Sequence, residues 1–394
     1  MRFFACAFLT IIISAVQARP ALAAPYRPAS DAQVLERLPF KPSDPIVREL
    51  AQMRSELQRD PRNRAVAVRL AQRYYGLVAE EGDPRYLGYA QAALAPWWDM
   101  PTPPTDVQVV RARLRQFQHD FQGALIDLGQ VIQREPDHAQ ARLLRAIIHI
   151  VQARYDEART DCQALHGGAE LLSLGCEAAI DGLTGKAGPA DARLQAALDA
   201  RPAASNEEKL WLLERLAELA QIRGLPALAE ERLKQALKLG HSDTFLLAAY
   251  TDLLLEQKRP AEVVALLKDK VRSDGLLLRL VFAEHDLKAP AAAEHEAALA
   301  ARYAAAQLRG DTVHQQEEAR FELRTRRDPK KALALAQENW KVQREPRDAR
   351  IFLEAAIASK NTAAAQPVLL WLKASGIEDP GLRQLGAQLA GGAK

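Results

Sequence analysis

Apolar residues recur at helical spacing along this chain, in stretches of helix length, and a helix-start mark returns about every thirty-four residues. The marks are Pro84, Phe121, Tyr155, Pro189, Pro226, Pro260, Pro290, Pro329 and, weakly, Ala363. Three positions later a small or aliphatic residue follows in nearly every case: Ala124, Ala158, Ala192, Ala229, Val263, Ala293 and Ala332. Each mark separates two amphipathic stretches, so the period predicts a stack of two-helix units over residues 45–390. Prolines open the second helices, where a missing amide hydrogen costs least. A second set, Pro61, Pro136, Pro202, Pro346 and Pro380, falls between units, while Gly82, Gly188, Gly224 and Gly310 suit the turns. Short connections make successive helices antiparallel neighbours. The expectation is all-α: a right-handed α-solenoid of about nine helix-turn-helix units, shaped as a curved rod with first helices lining its concave side.

Composition agrees with this pattern. Only 6% of the residues are aromatic while 48% are hydrophobic, which suits helices that approach through small side chains rather than a sheet. A fixed period over most of 394 residues implies one elongated body instead of several ordinary domains.

The N-terminus breaks the pattern. Arg2 precedes an apolar run from Phe3 to Val16, and Ala21-Leu22-Ala23 follows as a small-residue cleavage site, so 1–23 reads as a secretory signal cut near Ala23. The run is short for crossing a bilayer, which makes a retained anchor the lesser reading. The mature chain is expected in the periplasm or secreted, with no integral membrane span. Residues 24–44, with Pro25, Pro28, Pro39 and Pro42, cannot sustain a helix and read as an extended leader. Losing Arg2 and Arg19 with the signal lowers the formal charge from +3 to +1, a balance that gives no support for nucleic-acid binding.

Past the signal two cysteines remain, Cys162 and Cys176, centred on His166-Gly167-Gly168-Ala169, a turn between helices. Residues equidistant from an antiparallel turn can face one another, and an oxidising compartment permits a bridge worth about 3 kcal/mol in the chain-entropy model. Two buried thiols that never meet are the alternative.

Three segments carry a family likeness: Ala112…Phe121-Gln122-Gly123-Ala124…Leu128…Val131…Pro136, Ala146…Tyr155-Asp156-Glu157-Ala158…Cys162…Leu165, and Ala217…Pro226…Ala229…Leu233…Ala236. They resemble tetratricopeptide repeats (TPRs), whose small residues in the first and second helices match Ala112, Ala146, Ala217 and Ala124, Ala158, Ala229. Two departures stand out. Arg111 and Arg145 occupy positions where that family has a large aliphatic residue, and the 290–328 stretch, with an Ala-rich helix from Ala291 to Leu308, points to a distorted repeat.

Reactive groups are sparse. The eight histidines form no HxxxH or HExxH pair, Gly182 to Gly188 reads as a turn rather than a phosphate loop, and Ser173 belongs inside a helix. No enzymatic activity, metal or cofactor is expected. The resemblance implies a protein or peptide partner held on the first helices, and register places Arg113, Gln116 and Phe117 in one unit, Glu214, Glu218 and Gln221 in another, and Asp252 and Glu256 in the next. The groove would be basic at one end and acidic toward the other. The cluster Arg111, Arg113, Arg115, Arg142 and Arg145 suits carboxylates of a partner, Arg142 included, or Asp106, Asp120 and Asp127 of the chain itself. Trp97 and Trp98 read chiefly as packing residues. These features describe a non-enzymatic scaffold or adaptor of the cell envelope, its rival being a self-associating structural subunit; the oligomeric state is not set by the sequence.

Overall fold

The computed structural model describes residues 30, 41 and 43–391, apart from 168, 241 and 242. The signal, its cleavage point at Ala23 and nearly all of the leader lie outside the described residues. Contacts divide the chain into Met1–Glu49 and Leu50–Lys394, and the second part holds the repeats.

All regular structure among the described residues is helical. After α1 (Pro45–Arg59) the hairpins begin: α2 (Arg64–Glu81) with α3 (Arg85–Ala93), the short α4 (Ala95–Trp98), then α5 (Thr105–Phe117) with α6 (Phe121–Arg134). The third and fourth hairpins are α7 (Ala139–Val151) with α8 (Tyr155–Gln163) and α9 (Glu170–Leu183) with α10 (Ala187–Asp199). The fifth and sixth are α11 (Asn206–Ile222) with α12 (Pro226–Leu237) and α13 (Thr244–Glu256) with α14 (Pro260–Leu267). The seventh pairs α15 (Asp274–Leu287) with α16 (Ala292–Leu308), and the eighth α17 (Gln315–Phe321) with α18 (Pro329–Val342). Last come α19 (Pro346–Ala358) with α20 (Gln366–Ser375), closed by α21 (Pro380–Gly391).

One turn chemistry recurs between the two helices of a hairpin. Gly82, His119, Ala153, Gly185, Gly224, Lys258, Lys288, Arg327 and Lys360 all take a left-handed backbone there. In several turns the next amide donates to a carbonyl five residues back, as Arg154 to His149 and Leu225 to Ala220 at 2.8 and 2.9 Å. That is the Schellman closure, which satisfies orphan carbonyls at a helix end. Only some turns use glycine, so glycine placement alone marks them incompletely. Gly188 sits inside α10, and Gly185 makes that turn instead.

Alanines at the helix crossings are fully enclosed: Ala112, Ala124, Ala146, Ala158 and Ala229 expose no surface. A continuous apolar core then runs from Leu171 to Leu389. The eighth hairpin is the irregular one. Its first helix is short and passes into a π-helix at Glu322–Arg326, where the wider backbone ring loosens the helix.

The solenoid coils more tightly than an open rod. A Cβ on Gly82 would lie 2.3 Å from the Ser273 Cβ. Arg344 donates its amide to Val151 at 2.8 Å, the Trp371 indole donates to the Tyr155 hydroxyl at 3.0 Å, and the Ala187 amide donates to Glu378 at 3.1 Å. Gly224 closes on Pro380 in the same way. The turns of the early hairpins therefore stack on the loops of hairpins about five places later. These contacts hold the early hairpins of the solenoid against its later ones.

Candidate partner-binding surface

The arginines that break the family pattern are ties inside the hairpins. Arg111 on α5 holds Asp127 on α6 in two hydrogen bonds, at 2.6 and 2.9 Å, with both side chains almost wholly buried. Its remaining nitrogen donates to the carbonyls of Trp97, Trp98 and Met100. Thirty-four residues on, Arg145 grips Asp161 the same way, at 2.7 Å twice. Arg115 adds to the first carboxylate at 2.8 Å and Arg142 to the second at 2.9 Å. A guanidinium fork matches a carboxylate in both donors, so each pair fixes the spacing of two helices. Arg142 also donates to the Pro136 carbonyl at 2.9 Å, which leaves its head engaged within its own hairpin. Trp97 is buried, and Trp98 lies beneath Arg115 at 5.8 Å.

Other first-helix residues do reach the concave side. The Arg113 guanidinium lies over the Tyr75 ring at 5.3 Å, and Phe117 meets that ring edge-on at 6.2 Å, with Gln116 half-buried beside them. α13 packs against α2, so hairpin six meets hairpin one, and the α13 N-cap Asp243 acts electrostatically on both Tyr75 and Glu214. Phe245, at the start of α13, keeps 53% of its surface exposed.

Carboxylates crowd this region. Desolvation pushes Glu214 up to about 7, and Asp243 and Glu218 add to the shift while Arg215 opposes it. One Glu214 oxygen, Oε1, is buried with no hydrogen-bond partner, as is Nε of the neighbouring Arg215. Glu218 keeps 48% of its side chain exposed yet is also raised, because protein encloses it while water still reaches it. Arg215 bonds it at 2.6 Å. Gln221 is half-buried one turn onward.

Farther along, Asp252 is clamped by Arg279 at 2.5 Å and Arg320 at 2.7 Å. Desolvation works against the Asp252 carboxylate, but the two guanidiniums outweigh it and hold its pKa far below the ordinary range. Glu256 pairs with Arg350 at 2.8 Å. Three arginines on later helices thus fill the acidic end of the groove. The basic and acidic ends are not far apart, since the coil brings Arg113 and Asp243 into one neighbourhood. Tyr75, Asp243 and Phe245 were not among the sequence candidates. Phe245 shares a helix face with Asp252 and Glu256 by register, whereas Tyr75 arrives across a superhelical turn and has no local signal.

Cys162 and Cys176 are joined, with sulfurs 1.98 Å apart and both residues buried. Among the described residues no group of three His, Cys, Asp or Glu is placed to hold a metal, and no helix is long and apolar enough to cross a membrane. One concavity of about 980 Å³ is lined by Glu170, Leu171 and Leu172 on one side and by Arg201, Pro202 and Glu208 on the other.

Paired antiparallel helices, a left-handed residue in the turn within each hairpin and enclosed alanines where helices cross decide the architecture. The chain is an all-α solenoid of stacked helix hairpins. No family model and no curated protein sequence matches it. Among solved structures, this chain is similar to a tetratricopeptide repeat protein from Parabacteroides merdae, at 16% identity over 60% of this chain and 92% of the other, with a TM-score of 0.45. It is similar also to the APC/C hetero-tetramer Cut9–Hcn1, at 13% identity over 88% and 72%, TM-score 0.40. For yeast Tom70 the values are 10% identity over 87% and 89%, TM-score 0.27. The hairpin solenoid is established by its own geometry.

Proposed function

We propose that this TPR solenoid is a non-enzymatic, protein-binding scaffold of the cell envelope, docking a protein or peptide segment on the part of its concave face left open between hairpins one, two, five and six. The carrying observation is an unfinished surface. An orphaned Glu214 oxygen and an orphaned Arg215 nitrogen sit on the same helix turn, and Asp243, two residues before the exposed Phe245, acts electrostatically on Glu214. Buried polar atoms without partners are rare in a finished core, and an incoming backbone supplies both a donor and an acceptor. Export is supported by the charged and apolar N-terminus and by the disulfide, which persists in an oxidising compartment.

Photo-cross-linking tests the docking. A benzoylphenylalanine at position 245 should capture a partner in whole cells, and the same group at Leu308, exposed on a second helix, should not. Capture from 308 alone, or from neither, overturns the reading. N-terminal sequencing of the mature protein tests export: a chain beginning after Ala23 is expected, and one that retains Met1 and stays in the cytosol overturns it.

A further inference from the structure

The turns of the last four hairpins differ from the first five in what stands at the left-handed position. Gly82, His119, Ala153, Gly185 and Gly224 come first, and a Cβ on Gly82, Gly185 or Gly224 would run into Ser273, Gly376 or Pro380 of later repeats. Lys258, Lys288, Arg327 and Lys360 follow, every one of them exposed. Glycine or asparagine is the usual occupant of this backbone, so a long cation in four consecutive turns exceeds what turn formation selects. The helix dipole favours a cation at each of these ends, yet it leaves the heads in solvent.

Contacts between the helices set the turns side by side. α13 packs on α15, α15 on α17 and α17 on α19, all first helices running in one direction. Asp252 and Arg320, six and seven residues before Lys258 and Arg327, bond at 2.7 Å. Asp286 and Arg324, two and three residues before Lys288 and Arg327, bond at 2.6 Å. The helix ends are therefore level, and the cations form a row along one edge with about 10 Å between neighbours, the spacing of packed helices.

The full charge balance keeps this row positive. Glu256 is bonded by Arg350 at 2.8 Å, Asp286 by Arg324, Glu284 by His295 at 2.8 Å and Glu262 by Arg259 at 2.6 Å. Arg326 pairs with Glu296 at 3.0 Å, and Lys331 with Glu322 at 2.7 Å. Lys258, Lys288, Arg327, Lys330 and Lys360 have no side-chain partner among the described residues, against two acids without a cation, Glu294 and the α18 N-cap Asp328. Leu287, beside Lys288, keeps 45% of its surface exposed. Four of the five free cations are lysines, point charges on flexible stems that suit laterally mobile phosphates better than the fixed fork of a carboxylate.

We propose that this edge docks the protein on a membrane: its cations lie on the headgroups of an anionic phospholipid bilayer, and Leu287 enters the interfacial layer. This surface shares the envelope location with the reading above and makes no use of the concave face.

Co-sedimentation of the purified protein with vesicles tests it. Vesicles rich in phosphatidylglycerol should carry the protein down and pure phosphatidylcholine vesicles should not, with release as salt rises to about 0.5 M. Lys258→Gly, Lys288→Gly and Arg327→Gly should each weaken binding about fivefold, and the triple variant about a hundredfold. Glycine fits the left-handed backbone, so the melting temperature of these variants should not fall, which separates lost charge from lost fold. Leu287→Ala should weaken binding about threefold. Lys238→Ala, exposed at the end of α12 and so on the opposite edge, should leave it unchanged. Equal binding to phosphatidylcholine, undiminished binding by the triple variant, or no binding to phosphatidylglycerol each overturns the proposal. Fluorescein-labelled deca-glutamate bound in preference to vesicles, and lost in the triple variant, would assign the edge to an acidic protein instead and overturn it too. Cross-linking from position 245 should be the same in the triple variant, so failure here and failure of the docking reading are separate results.

Discussion

At the residue scale, the buried Arg111–Asp127 pair shows how a departure from the repeat pattern becomes structure. A guanidinium taken from water is tolerated only because one carboxylate and a fan of carbonyls satisfy it. Asp127→Ala leaves that charge uncompensated, and the denaturant midpoint should fall by the equivalent of about 3–5 kcal/mol with helicity kept in the folded baseline. Glu214 behaves oppositely. Its carboxyl is raised to about 7 from 4.5, so the folded chain binds more protons than the unfolded one between those values. The stability that Glu214 contributes in acid is lost as pH rises through that window, and above it the ionised, poorly partnered group is destabilising by on the order of 2–3 kcal/mol. Glu214→Gln should accordingly raise the melting temperature at about pH 8 and change it little near about pH 4.5. The repeat of arginine at positions 111 and 145 was visible in the sequence. Its partners were not, because each carboxylate lies on another helix at a distance that the one-dimensional pattern does not encode.

At the element scale, helix identity and turn placement were largely legible, since amphipathic period and proline at the first turn are local properties. The marks at Phe121, Tyr155, Pro226, Pro260 and Pro329 fall on the first residues of α6, α8, α12, α14 and α18. Turn chemistry was less so: lysine, histidine, alanine and arginine occupy left-handed positions that glycine would fill without strain. The π-helix at Glu322–Arg326 had only the polar, distorted stretch before it as a signal. The Cys162–Cys176 bridge joins α8 to α9 with Cα atoms 5.6 Å apart. Replacing both cysteines with alanine should lower stability by about 3 kcal/mol, and intact mass under non-reducing conditions should show two fewer hydrogen atoms in the parent than in its reduced form. An unchanged melting curve on reduction would remove the bridge from the list of stabilising contacts.

At the scale of the whole repeat body, stacking of early turns on late loops governs how much of the concave face remains open. Gly185 takes a left-handed backbone, and any Cβ there would come within 2.8 Å of the Gly376 carbonyl oxygen. Gly185→Ala should therefore separate the stacked turns, raising the radius of gyration in solution scattering while the dichroism spectrum stays helical. An unchanged scattering profile would show that the coil is held by the remaining contacts, such as Trp371 to Tyr155.

By itself the amino-acid order determined the helices, their pairing into hairpins and the small residues where those helices cross, because periodicity, proline placement and side-chain volume act over a few turns of chain. Only the tertiary structure decided how tightly the hairpins coil, which arginines are spent on the chain's own carboxylates and that a Glu214 oxygen is left buried without a partner. Those outcomes depend on small rotations between successive hairpins that accumulate over about five repeats, and on contacts such as Tyr75 facing Asp243 whose partners are far apart in sequence.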